Sequence, residues 1–181
     1  MSDAKTEPTR YYGKYRGTVT VNQDPEFRCR VQVAVTDVLS FVPSTWAEPC
    51  VPLSGMPGVP MGMIVVPPVG AAVWVEFEHG NPNLPIWSGC RIPTPADVPP
   101  LARLGIPGDA NIMLQSLLQH TIMISDVPPT PVTGGIVLKS TSGAYIIVND
   151  SGIYINNMKG AQMTMIGPVI DFNNAALTIL K

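Results

Sequence analysis

Apolar and polar residues alternate with a period of two through much of the first half of the chain. After "GTVTVNQ" comes "FRCRVQVAVTDVL", where Cys29, Val31, Val33 and Val35 share one parity and Arg28, Arg30 and Gln32 the other. Successive side chains of a strand point to opposite faces, so this pattern predicts a half-buried strand. "AAVWVEFEHG" repeats it, with Val73, Val75 and Phe77 on one parity and Trp74, Glu76 and Glu78 on the other. "MIVVP" and "IWSGCRI" read as further strands, set off by the turns "PPVG" and "NPNLP", and "CVPLSGMPGVPMG" reads as a long loop. The 20 prolines and 16 glycines are spread throughout and leave almost no window for a long helix. The exception is Ala110 to Gln119, where propensity allows a short helix and the flanking pattern allows strands.

The last third has a different rhythm. Segments begin at Ile136, Ala144, Ile153, Ala161, Pro168 and Ala176, a period close to eight, each with a strand-prone run followed by Gly or Asn. Those residues supply the positive φ of a tight corner. Both parities of "AYIIV" and "MTMI" are apolar, so both sides of these strands need cover. A repeat one strand thick cannot bury its apolar face alone. Either the chain coils into a solenoid or several copies intertwine, and so few short strands favour intertwining.

The layout that follows is all-β. It has a polar, flexible tail over 1–10, a closed barrel of about five short strands over 11–92, of the size of an OB-fold, a Pro-rich linker over 93–110, and a strand repeat over 111–181.

Composition narrows the function. The chain is 45% hydrophobic and only 13% charged, with a net charge of -2. No basic field exists to hold a phosphate backbone or an anionic membrane. Nucleic acid is therefore excluded as an electrostatic partner. Low charge leaves apolar surface to cover, and oligomerisation covers it most simply. Cys29, Cys50 and Cys90 fit neither a disulfide framework nor a metal site and are expected to be reduced, mostly buried thiols. No apolar run reaches membrane-helix length, and "MSDAKTEPTRYYGKYRG" lacks the apolar region of a signal peptide. The expectation is a protein made in the cytoplasm.

Candidate chemistry is sparse. Glu76, Glu78 and His79 stand together, but a metal site wants more converging ligands, and the parity puts both glutamates on the outer face of a strand. His120 would recur around an axis in a trimer and could there meet its copies, yet a single histidine on an apolar strand is ordinarily structural. Asp126, Asp150 and Asp171 fall at strand ends or corners, where Asp caps turns. Nucleophile-elbow, zinc-protease and phosphate-loop motifs are missing, and "GMPGVPMG" lacks the Lys-Ser/Thr that phosphate cradling requires. The reading is no catalytic residue, no metal and no cofactor.

Two stretches carry a resemblance. The run from "YYGKYRGTVTVNQDPEFRCRVQVAV" through "STWAEPCVPLSG" to "GMIVVPPVGAAVWVEFEHGNPNLPIWSGC" resembles the OB-fold of phage baseplate spike proteins, baseplate assembly protein V and the valine-glycine repeat spikes of type VI secretion. The matching positions are Trp46 and Ala47, Pro67 and Gly70, Phe77, Gly80, Asn81 and Pro82, and Pro85 with Gly89. The segment from "HTIMISD" to "AALTI" is similar to the intertwined triple-stranded β-prism of the same proteins.

The resemblance implies a homotrimeric central spike of a contractile injection system, seated on a baseplate hub protein and driven through a target envelope when the sheath contracts. It implies only transient membrane contact, with tethered effectors as further partners. The lysozyme domain that some relatives carry has no counterpart, and no histidine follows His120 to form their HxH metal site. The chain would then end as an apolar blunt face, Ala176, Leu177, Thr178, Ile179, Leu180 and Lys181, fit for a separate PAAR-repeat tip protein. An OB-fold module binding oligosaccharide or nucleic acid, and a tail-associated hydrolase, are the alternatives.

Overall fold

The computed structural model describes residues 8–104, 108–109, 111–127 and 134–180, with the backbone alone for Thr178 and Leu180. The first seven residues of the expected tail, Ala110 and Lys181 lie outside the described residues. The chain divides into two compact units, Met1–Pro93 and Thr94–Lys181, and both are built from strands.

The first unit contains β1 (Tyr15–Val21), β2 (Gln32–Ala34), β3 (Glu48–Pro49), β4 (Ala72–Phe77) and β5 (Pro85–Cys90) in the sheet order β2-β1-β4-β5-β3. All neighbours are antiparallel except β3 and β5. The sheet curls until its ends meet: beyond the ends of β2 and β3, Val31 and Ala47 form an antiparallel bridge, with Ala47 N–H donating to the Val31 carbonyl at 2.7 Å. Inside lie Val19, Val31, Val33, Val35, Ala47, Val73, Val75, Phe77 and Trp87, all buried. Gly17 shares their side of β1, and a Cβ there would stand 2.7 Å from Val75 Cγ2, so glycine lets β1 and β4 close on each other.

The strand expected over residues 29–35 is broken. Phe27 and Cys29 have φ of 57° and 62°, and only Gln32–Ala34 pairs as β2, after which the short helix α1 (Thr36–Leu39) follows. The left-handed residue at Cys29 resets the alternation and turns Arg30 inward, where parity had placed it in solvent. Arg30 meets Asp24, whose carboxylate accepts from the backbone N–H of Glu26 (3.0 Å), Arg28 (2.9 Å) and Arg30 (3.3 Å), and from Arg30 Nε (3.0 Å) and Nη2 (2.7 Å). The Arg30 guanidinium also stands 5.7 Å from the Trp46 ring, within cation–π range.

Two further expectations differ. "MIVVP" forms no strand, because the arm it belongs to pairs with itself and leaves Met63, Ile64 and Val65 exposed. Cys50 and Cys90 are exposed and Cys29 is half-buried: Cys50 follows the end of β3 and Cys90 is the last residue of β5, so pleating does not aim these two thiols into the core.

The second unit is an antiparallel meander: β6 (Asn111–Gln115), β7 (Thr121–Ser125), β8 (Gly135–Lys139), β9 (Tyr145–Asn149), β10 (Gly152–Asn156), β11 (Gln162–Ile166), β12 (Val169–Phe172) and β13 (Leu177–Leu180), each paired with its sequence neighbours. Residues 111–115 thus take the strand alternative. Within the Pro-rich stretch the chain does not run extended throughout. It makes 3₁₀ turns at Pro95–Asp97 and Pro100–Arg103, and Leu101 packs on the buried Met123, Val137 and Ile147.

The Arg30 guanidinium, first, and the converging backbone N–H groups hold the Asp24 carboxyl well below the usual carboxylate range against the opposing effect of burial. A depressed folded-state value means the ionised group stabilises the fold fully above the ordinary carboxylate pKa of about 4, and that this contribution fades as pH falls below it. Asp24→Asn is expected to lower the urea midpoint of the barrel by a constant amount between neutral and mildly acidic pH. The gap from wild type should narrow below about pH 4, and a gap independent of pH down to the acid limb would contradict this.

Candidate functional site

The barrel motif is structural. Phe77 is in the core with Tyr11 and Tyr15, at ring-centroid distances of 6.2 and 5.6 Å. Pro85 is fully buried, and Pro67 is buried with its carbonyl accepting from Asn22 Nδ2 at 3.2 Å. Gly80 has φ 72° and is buried beside Tyr11 N, 3.0 Å from where a Cβ would lie, and its carbonyl accepts from Tyr11 N–H at 2.9 Å. That contact ties the entering chain to the turn. Asn81 shapes the turn by accepting from Asn83 N–H at 3.1 Å, with Pro82 between them. Gly70 donates to the Val19 carbonyl at 2.9 Å, Gly89 has φ 128°, Ala47 closes the barrel, and Trp46 lies half-buried beside Arg30.

The carboxylates of "EFEHG" do not converge. Glu76 faces outward and pairs with Lys14 Nζ at 3.2 Å, and Lys14 also donates to Ser88 Oγ at 2.9 Å. Glu78 lies past the strand in a 3₁₀ turn, Glu78–Gly80, 3.8 Å from the exposed His79. His120 sits in the turn before β7, with Nε2 3.3 Å from Thr141 Oγ1. Of the three aspartates, Asp171 lies within β12 and accepts from Ala175 N–H at 2.6 Å, whereas the turn at Asp150 is capped by the neighbouring Asn149, which accepts from Ser151 and Gly152 N–H. Among the described residues no group of three or more His, Cys, Asp or Glu stands close enough to hold a metal ion.

What the second unit does assemble is a surface. Following the register across the sheet, Leu114, Ile122, Leu138, Ile146, Ile155, Met163, Phe172 and Leu177 stand opposite one another in one continuous row. Ile112, Ile124, Ile136, Val148, Ile153, Met165, Ile170 and Ile179 make a second row on the same face. Every strand contributes two apolar residues to this face and no polar one intervenes between the rows. Most of these side chains in β6–β9 are exposed by 40% or more. On the opposite face the central row reads Met113, Met123, Val137, Ile147, then Tyr154, Thr164 and Asp171. That face is apolar only over its first four strands, where Leu101 covers it.

Sequence periodicity gave six of these strands, left β6 open between helix and strand, placed β7 only as the apolar strand beside His120, and did not say which parity lacked cover. The repeated Ile-x-Ile and Ile-x-Leu spacing in "NIMLQ" and "TIMIS" was the available signal. The expected tip residues belong partly to this face: Leu177 and Ile179 are its last rungs, and β13 is the free edge of the sheet.

A closed barrel joined to a sheet with one uncovered apolar face is an all-β subunit built to associate with its own copies. The family model of the type VI secretion system/phage-baseplate injector OB domain matches residues 15–91, and that of the phage baseplate V C-terminal trimerisation domain matches residues 111–178. The chain belongs to the phage baseplate V family of spike proteins, whose members are structural components of phage-tail and type VI baseplates. It forms a homotrimer associated with a baseplate and is part of a tail particle. Comparison with curated proteins returns no match.

Covering one Ile or Leu is worth about 1.5–3 kcal/mol, and a buried unpaired charge costs more. Ile136→Lys, in the middle of the uncovered face, is expected to convert the trimer to monomer in size-exclusion chromatography with mass detection. Thr164→Lys, on the opposite face, should remain trimeric. A trimeric Ile136→Lys would show that this face is not the interface.

Proposed function

We propose that the trimer is the central spike of a contractile injection system: it sits on the baseplate hub with the barrels toward the hub and is driven through a target envelope on sheath contraction. The observation that carries this reading is the apolar face running unbroken from β6 to β13 inside the trimerisation segment. Three such sheets, facing one another or sharing strands, give a dry shaft, and a shaft whose every rung is packed against two other copies resists local opening under axial load. The work of piercing comes from the sheath, so stiffness is what the spike supplies.

Leu177 and Ile179 are the last described rungs, and β13 is an edge strand of the sheet. Exposed strand edges invite pairing by another chain. A PAAR-repeat protein seated on Ala176, Leu177, Thr178, Ile179, Leu180 and Lys181 would cover both the edge and the last apolar rung, and effectors would travel tethered to such a tip.

Removing residues 176–181 is expected to abolish retention of a PAAR-repeat tip protein in a pull-down while the truncated chain stays trimeric by mass. Undiminished retention by a trimeric truncation would refute the capping assignment.

A further inference from the structure

Between Glu48 and Glu76 the chain contains no charged residue. The part of this stretch that joins β3 to β4 is the most exposed apolar segment of the barrel unit. Leu53, Met56, Val59, Met61, Met63, Ile64 and Val65 are each at least half exposed. Yet the arm is not an irregular coil. Gly55 N–H donates to the Met61 carbonyl at 2.7 Å, Met63 N–H to the Leu53 carbonyl at 3.2 Å and Val59 N–H to the Met56 carbonyl at 3.0 Å, and Ser54 and Gly62 form an antiparallel bridge. These bonds make a small hairpin that displays Met56, Val59 and Met61 at its tip.

Beside its stem lies a cavity of about 400 Å³ lined by Cys50, Pro52, Met63, Val65, Trp87 and Cys90, among others. Met63 and Val65 of the arm form part of that wall, and the ladder from Leu53 to Met63 holds the tip away from it. The tip therefore cannot fill its own chain's cavity without breaking the hairpin. A tip and an apolar cavity that cannot meet within one chain form a heterologous pair, and such a pair closes into a ring when the subunits are related by a rotation axis. The trimer supplies that axis.

It also supplies the concentration. Only the 19 residues 92–110 separate the two family matches, a span of at most about 70 Å when fully extended, and shorter here because Leu101 packs on the second unit. Two other copies of the cavity are thus held within reach of each arm, which makes docking an effectively intramolecular event. The lack of charge suits a dry contact between two apolar surfaces, and unbranched methionines adapt their shape to such a contact.

We infer that in the trimer the tip of each arm, Met56, Val59 and Met61, seats in the Cys50–Trp87–Cys90 cavity of a second copy, locking the three barrels into a ring. The inference rests on the trimeric state and not on piercing or tip capping.

The cavity carries its own reporters. In the full-length trimer, Val59→Cys exposed to a mild oxidant is expected to give disulfide-linked dimers and trimers on a non-reducing gel. These bands should be lost when Cys50 and Cys90 are both replaced by serine in the same background. Three results overturn the inference: a trimer of correct mass without inter-chain links, links that persist without Cys50 and Cys90, or co-sedimentation of the wild type with phosphatidylcholine vesicles that is lost in Met56→Ser/Val59→Ser/Met61→Ser, which would give the arm to a membrane. A monomeric mass for Val59→Cys removes the assembly on which the inference stands and overturns it on that separate ground.

Discussion

A sheet whose one face is apolar across all eight strands, and whose other face is apolar and covered by its own chain only over the first four, is the constraint from which the rest of this molecule follows. Backbone hydrogen bonds inside the meander are satisfied strand by strand, so nothing in the ladder calls for a partner except at its edges. The side chains do. Two rows of Leu, Ile, Val, Met and Phe run across all eight strands with no polar interruption. Leaving them in water would forfeit about 1.5–3 kcal/mol for each large residue. Association of copies is therefore a condition of this unit's stability and not an addition to it.

That constraint makes register unusually important. A slip of one residue in any hairpin would exchange Ile146 and Val148 for Tyr145 and Ile147, or Met163 and Met165 for Gln162 and Thr164, and would break both rows at once. The turns are accordingly pinned by specific chemistry. Asn149 accepts from Ser151 and Gly152 N–H, Asn157 from Lys159 and Ala161 N–H, and Asn173 from Gln162 N–H. Positive φ at Gly143, Gly160, Gly167, Asn173 and Asn174 lets the chain reverse within a few residues. The barrel solves the opposite problem. Its valine core is complete within one chain, and the Asp24–Arg30 pair fixes the loop that lets Val31 reach Ala47.

Much of this was legible from pattern. The inward parity of Val73, Val75 and Phe77, the turn at Gly80–Pro82, and the near-eight-residue rhythm after Ile136 all follow from the pleat of a strand and from the residues that tolerate a corner. Other features were not. Arg30 read as solvent-facing because alternation assumes an unbroken strand, and nothing local announces the left-handed Cys29 that resets it. "MIVVP" has strand composition but belongs to an arm that pairs with itself. Cys50 and Cys90 look like core thiols until the strand ends that carry them are located.

The sequence by itself determined the class of structure: abundant Pro and Gly, period-two alternation and scarce charge admit little but short strands that need cover. Tertiary structure alone decided which parity goes uncovered in β6–β9, that Leu101 packs on the other parity at Met123, Val137 and Ile147, and that an uncharged arm is tied into a hairpin it cannot fold back. The physical reason is that alternation tells which residues share a face, whereas cover depends on what packs against that face. In this chain both parities of the decisive strands are apolar, and only the chain path distinguishes them.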